Sequence, residues 1–266
     1  MSGPSNVGDL GPDGMPGQPT RPPLAMVYGG GGLFGIAYTA GIAAGLLDAG
    51  LPVDTAPALG TSAGSWTAAA MALGLGFDTF SRARVVHVPN LRPGVVAALA
   101  RELFGEARHP LVSASAVCLS TGRRHVLDGG ALALADLVAA SSAVPGLLPP
   151  HRVDGRLYID GGVWSATSVD SVPGADRVIV VAPLAGAVLG PVGRAADLLL
   201  DRELGRWRHR HPGCVVDVIR PHREIARLAG RHLLSLFDPR RAHDVYPLGY
   251  EQGTRWASHL PEHDAA

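Results

Sequence analysis

The chain has 266 residues, 47% hydrophobic and 17% charged, enough apolar material for one large α/β domain, and no second composition sets in after residue 23. Its formal net charge of +0 gives no electrostatic case for nucleic acid as a partner. All 23 basic residues are arginine, which excludes a serine–lysine dyad, and the abundance of Ala, Gly and Pro beside them suggests a GC-rich bacterial genome.

Residues 1–22 are rich in Gly, Pro and Ser without a continuous apolar run, so they read as a disordered tail and not as a signal peptide. Strand and helix patterns then alternate. Strands are expected near 24–28, 56–59, 85–88, 116–119, 177–182 and 214–219. Helices are expected near 35–48, 64–74, 93–104, 135–141, 193–210 and 248–257. The alternation implies an α/β fold over residues 23–260, a mostly parallel central sheet with helices on both faces, followed by a flexible C-terminus at 261–266.

Two uncharged stretches, 24–47 and 55–77, are long enough to cross a bilayer core of about 30 Å. The first contains four consecutive glycines and the second is broken by a serine turn, so both read as buried strand, loop and helix in succession. Cys118 and Cys214 stand far apart and without metal-ligand neighbours. They indicate neither a disulfide framework nor a zinc site and suit a reducing, cytoplasmic compartment.

Three segments carry chemistry. Gly60-Thr61-Ser62-Ala63-Gly64 is G-x-S-x-G between an apolar approach and an alanine-rich helix; Gly60 and Gly64 remove side chains where a strand reverses into a helix, leaving the serine hydroxyl exposed as a nucleophile. Gly29-Gly30-Gly31-Gly32-Leu33-Phe34-Gly35 follows an apolar run and opens a helix, so its backbone N–H groups and the helix dipole favour a phosphate or an oxyanion. One well-placed oxyanion donor supplies roughly 3–4 kcal/mol. Tyr158-Ile159-Asp160-Gly161-Gly162 delivers an aspartate into a glycine turn. Asp128-Gly129-Gly130 repeats the tripeptide without the Ser/Pro-rich segment that precedes Asp160, and reads as a surface turn.

In this order and spacing, Gly-Gly-Gly-x-x-Gly, then G-x-S-x-G, then A-S-x-x-x-P…P-P…G-x-x-Y-x-D-G-G resembles the patatin-like phospholipases, from about Leu24 to Ala257. The resemblance implies a three-layer sandwich and a lipid acyl hydrolase with a serine–aspartate dyad and no catalytic histidine. Carried over position by position, Ser62 is the nucleophile and Asp160 the general base. The amides of Gly30, Gly31 and Gly32 form the oxyanion hole, with Gly35 closing the turn and Gly161 and Gly162 completing the aspartate motif. It also implies a lipid or acyl-ester substrate, no cofactor and no metal, and transient contact with a membrane surface, for which 233–237 offers apolar contact points. Cap elements shaping an acyl channel are expected within 89–110 and 186–244.

The sequence departs from the family pattern twice. Phe34 stands where the commonest glycine loop has Arg or Lys, and is a candidate for the acyl pocket; Ser165-Ala166-Thr167 replaces Asn-x-Pro. The missing cation leaves open a catalytically silent lipid-binding protein. A Ser-His-Asp hydrolase, with His151 as the best-placed histidine, is a further alternative. So is a dinucleotide site, because Gly30 to Gly35 matches G-x-G-x-x-G with Asp54 about twenty residues on.

Overall fold

The computed structural model describes residues 21–82 and 86–260. The expected C-terminal segment 261–266 and residues 1–20 of the expected tail lie outside the described residues. The folded backbone reaches back to Pro22, whose carbonyl accepts a hydrogen bond from Asp176 at 3.0 Å.

Among the described residues, eight strands form one sheet: β1 (Leu24–Tyr28), β2 (Ala58–Thr61), β3 (Val112–Cys118), β4 (Arg123–Asp128), β5 (His151–Val153), β6 (Arg156–Asp160), β7 (Arg177–Val181) and β8 (Val215–Ile219). The run β3-β2-β1-β7-β8 is parallel throughout, and β4, β5 and β6 add an antiparallel end. β1 reads Leu-Ala-Met-Val-Tyr and is buried at every position, as expected of a central parallel strand covered on both faces.

Side-chain alternation divides the core into two layers. Met26, Tyr28, Ile179 and Val181 face one side, against α1 (Gly32–Asp48), α2 (Ala63–Ala72), α4 (Val95–Phe104), α5 (Leu134–Ser141) and α8 (Pro239–Ala257). Ala25, Val27, Val178 and Val180 face the other, against Leu200, Leu204 and Trp207 of α6 (Pro191–Arg210). Two short helices, α3 (Phe77–Arg82) and α7 (Arg223–Leu228), complete the set. The α/β architecture with a mostly parallel sheet flanked by helices is the one the alternation implied.

α1 and α8 cross at backbone contact. A Cβ added to Gly45 would lie 2.3 Å from the Tyr250 carbonyl oxygen, and one added to Gly253 2.5 Å from that of Ile42. Neither helix could pack this closely with larger residues at those positions. α8 also begins nine residues before its expected start. Asp238 caps it by accepting from the Arg240 N–H at 2.9 Å, Pro239 occupies its first turn, and it tolerates Pro247 in its interior.

The strand expected near 85–88 is not formed. Val85 lies outside the described residues, and 86–88 is irregular chain. The two uncharged stretches are each a strand, a glycine turn and a helix, and no described helix is long and apolar enough to cross a membrane.

Candidate active site

The register on β3 brings the two motifs together. β4 pairs along one edge of β3 from Ser113 to Cys118. The opposite edge is shared: β2 runs along it until Thr61 stands opposite Ser115, and antiparallel β6 arrives from the other end until Asp160 stands opposite Ala116. The strands meet nearly end to end, so Ser62, just beyond β2, and Asp160, the last residue of β6, become neighbours although 98 positions separate them.

Ser62 has φ 51 and ψ −119, a left-handed conformation uncommon for any residue with a side chain. Its N–H donates to the Ser141 hydroxyl at 2.8 Å, which in turn donates to the Ser115 carbonyl at 2.7 Å. The Ser62 carbonyl accepts from the Ser65 hydroxyl at 2.6 Å. The flanking glycines make the turn sterically feasible: a Cβ on Gly64 would sit 1.9 Å from the Tyr28 carbonyl oxygen, and one on Gly60 2.3 Å from the Ser65 Cα.

Asp160 is buried, its carboxylate accepting from the Gly162 N–H at 2.6 Å and lying near enough to the Ser62 side chain for that hydroxyl to lower its pKa. Burial lifts this carboxyl from its ordinary 3.8 to about 6, and the Ser62 side chain and the Gly162 N–H keep it from rising further. A base of that strength is more basic than a solvated carboxylate and still ionised at neutral pH.

The glycine loop lies over the serine. A Cβ on Gly30 would be 3.2 Å from the Ser62 Cβ. The Gly30 N–H is directed to the Ala166 carbonyl at 2.8 Å, so it is engaged in holding the loop. Among the described residues, the N–H groups of Gly31 and Gly32 have no protein acceptor, and Gly32 opens α1. The N–H of Ala63, at the start of α2, is a third such donor, one that the sequence reading did not name.

The segment replacing Asn-x-Pro is held by Glu203, an acid of α6 that is only 2% exposed. Its carboxylate accepts from Ser165 at 2.8 Å and Thr167 at 3.3 Å, and Ser165 also accepts from the N–H groups of Thr167 and Ser168. Ala166, between these anchors, provides the carbonyl that receives Gly30. Burial holds the Glu203 carboxyl above its ordinary range, against hydrogen bonds from Ser165 and Thr167. Glu203→Ala is therefore expected to destabilise the fold by about 2 kcal/mol in chemical denaturation, through two hydroxyls left unpartnered. Glu203→Gln is expected to recover most of that loss.

Ser62 opens into an apolar cavity of about 210 Å³. Leu33 and Ile36 of α1, Trp66 of α2, Phe77 and Phe80 of α3, and Leu99 and Leu103 of α4 line it, with Val86, Val88, Leu148 and Phe237. The two expected cap segments contribute, the first through α4 and the second through Phe237 to His243. Phe34 does not line the cavity: it is buried in the core, stacked on Tyr38 at 6.4 Å, one residue out of phase with the lining positions of α1.

His151 is bound elsewhere, its Nε2 2.9 Å from Asp136, which Arg101 also holds. His243, which sequence reasoning did not single out, is the histidine of the cavity wall. Asp54 lies in the turn ahead of β2, whereas a ribose-binding acid belongs beyond a strand's carboxyl end.

Residues 80–172, about a third of the chain, match the family described as Patatin-like phospholipase; the matched stretch contains Asp160 and the segment leading to it. Three mycobacterial proteins, one from Mycobacterium bovis and two from Mycobacterium tuberculosis, each described as an uncharacterized NTE family protein, are 38% identical over 55 residues. That alignment covers 20% of this chain and 15% of each relative.

Proposed function

We propose that this chain, a member of the patatin-like phospholipase family, hydrolyses acyl ester bonds of lipids through Ser62 and Asp160. The observation that carries this reading is a serine on a strained turn, brought beside a buried carboxylate by the register of β3 and open to an apolar cavity.

In the mechanism, Asp160 takes the Ser62 proton as Oγ attacks the ester carbonyl carbon. The carbonyl π pair moves onto oxygen, where the N–H groups of Gly31, Gly32 and Ala63 stabilise it. Collapse expels the alkoxide, which leaves with the proton from Asp160, and the acyl group remains on Ser62. Water then attacks, giving its proton to Asp160; the second collapse breaks the Ser62–acyl bond, returns the proton to Oγ and releases a fatty acid. The apolar cavity holds the acyl chain through both steps. No metal or cofactor takes part, and the enzyme works in a cytoplasmic compartment in transient contact with a membrane surface.

The absence of a cation from the glycine loop favours a second reading, a lipid-binding protein without turnover. A panel of phospholipids, lysophospholipids, neutral glycerides and simple esters, read as released fatty acid, separates the two. Release from at least one class together with covalent labelling of Ser62 by a fluorophosphonate is expected. Neither release nor labelling would leave the silent reading standing, and loss of turnover in His243→Ala with Asp160→Asn active would transfer the base to histidine.

A further inference from the structure

One part of the surface is built with its polarity reversed. The 3-10 turn Leu233–Phe237 follows α7, and its Ser235 hydroxyl is turned inward, donating to the Ala229 carbonyl at 2.6 Å. Leu233 and Leu234 point outward instead, each 54% exposed. They are not outside for want of order. Arg241 donates to the Leu228 carbonyl at 3.1 Å, and Asp238 caps the helix that follows. A turn that directs its serine hydroxyl inward and displays two leucines leaves apolar surface in water unless something apolar meets it.

The charge around the turn is as uneven as its polarity. From 227 to 241 there are four arginines, Arg227, Arg231, Arg240 and Arg241, against the single acid Asp238, in a chain whose formal net charge is +0. Asp238 is paired with Arg241 at 3.3 Å. Arg227, Arg231 and Arg240 are exposed and form no ion pair among the described residues.

The turn is also continuous with the candidate active site. Phe237, at its end, belongs to the cavity wall, and a Cβ on Gly32 would lie 2.9 Å from the Leu236 carbonyl oxygen. Whatever engages Leu233 and Leu234 thus sits two to three positions from Leu236, which touches the glycine loop at Gly32.

We propose that Leu233–Phe237 is the docking element for an anionic lipid surface. Leu233 and Leu234 enter the acyl region, and Arg227, Arg231 and Arg240 meet headgroup phosphates. Seated this way, the cavity mouth faces the layer from which an ester would be drawn. The proposal rests on the lipid-hydrolase reading for its purpose, but the binding itself does not require turnover.

The test is co-sedimentation of the full Ser62→Ala chain, which cannot consume the lipid, with phosphatidylcholine vesicles alone and with phosphatidylglycerol mixed in. Binding is expected to favour the mixed vesicles. It should fall about tenfold or more in Leu233→Ser/Leu234→Ser, and Arg231→Gln/Arg240→Gln should lose the preference for phosphatidylglycerol. With Ser62 intact, both double variants should hydrolyse a soluble short-chain ester at the parent rate. Equal binding to both vesicle types, or binding unchanged by the leucine substitutions, would overturn the proposal. So would a dimer in light scattering that the leucine substitutions dissociate without vesicle binding, since the turn would then seat a second copy. If the parent binds as expected yet shows neither ester turnover nor fluorophosphonate labelling, the docking surface stands and the catalytic reading fails.

Discussion

Replacing Ser62 by alanine is expected to reduce ester turnover by about 10⁴-fold or more while leaving the fold intact. The backbone restraints at this position do not involve Oγ: the N–H is held by Ser141 and the carbonyl by the Ser65 hydroxyl. The left-handed φ of 51 is no harder for alanine than for serine, so the turn should survive. The cavity walls and the donors at Gly31 and Gly32 also remain, so fatty-acid product should bind as before. Initial rates on a soluble ester, product affinity and a thermal melt together separate loss of the nucleophile from loss of structure. Residual turnover within about tenfold of the parent, with labelling by fluorophosphonate retained, would place the nucleophile on another residue.

The parts of this site that the sequence made legible are those where the backbone itself demands a particular residue. Gly60 and Gly64 are needed because a Cβ would collide with Ser65 or Tyr28, and such collisions leave a mark in any sequence that folds this way. β1 and β7 were equally legible, because strands covered on both faces are nearly continuous apolar runs, β1 at every position and β7 from Val178 to Val181. The antiparallel end of the sheet was not. β4 reads Arg-Arg-His-Val-Leu-Asp and is mostly solvent-facing, β5 has three residues, and both are fixed by their pairing partners more than by their own pattern. The run at 85–88 misled for a related reason. Apolar residues there satisfy a cavity wall through Val86 and Val88, and the same composition would have suited a strand.

Glu203 was hidden because its helix is rich in arginine and acid, the signature of a solvated face. Only tertiary contact turns that one carboxylate inward toward Ser165 and Thr167. The meeting of Ser62 with Asp160 depends on where β2 and β6 stop along β3. No local pattern encodes that register; family resemblance alone pointed to it. The glycine loop was legible as a cluster, but the different engagement of its N–H groups was not, since only the fold shows Gly30 bound to Ala166.

Activity and stability should respond to pH in opposite directions, through the same carboxyl group. Asp160 is lifted from 3.8 to about 6 chiefly by burial, so the folded protein binds this proton more tightly than the unfolded chain does. Stability contributed by the protonated form is fully present below about pH 4 and is lost as pH rises through about 6. The separation between the two values corresponds to about 3 kcal/mol. The base, however, works only when ionised, so kcat/KM should rise with pH along a limb centred near 6. Asp160→Asn removes the charge, keeps a carbonyl oxygen for the Gly162 N–H, and is expected to lower turnover by about 10²–10⁴-fold. Its stability should lack the wild-type decline. Measured by urea denaturation between pH 4 and pH 8, the variant should gain on the wild type by up to about 3 kcal/mol, nearly all of it across the interval in which the rate rises. A wild-type rate limb without the matching relative loss of stability would mean that a group other than Asp160 accepts the serine proton. A variant that instead loses ground as pH increases would mean that the carboxylate is stabilised where it lies, and that burial does not set its basicity.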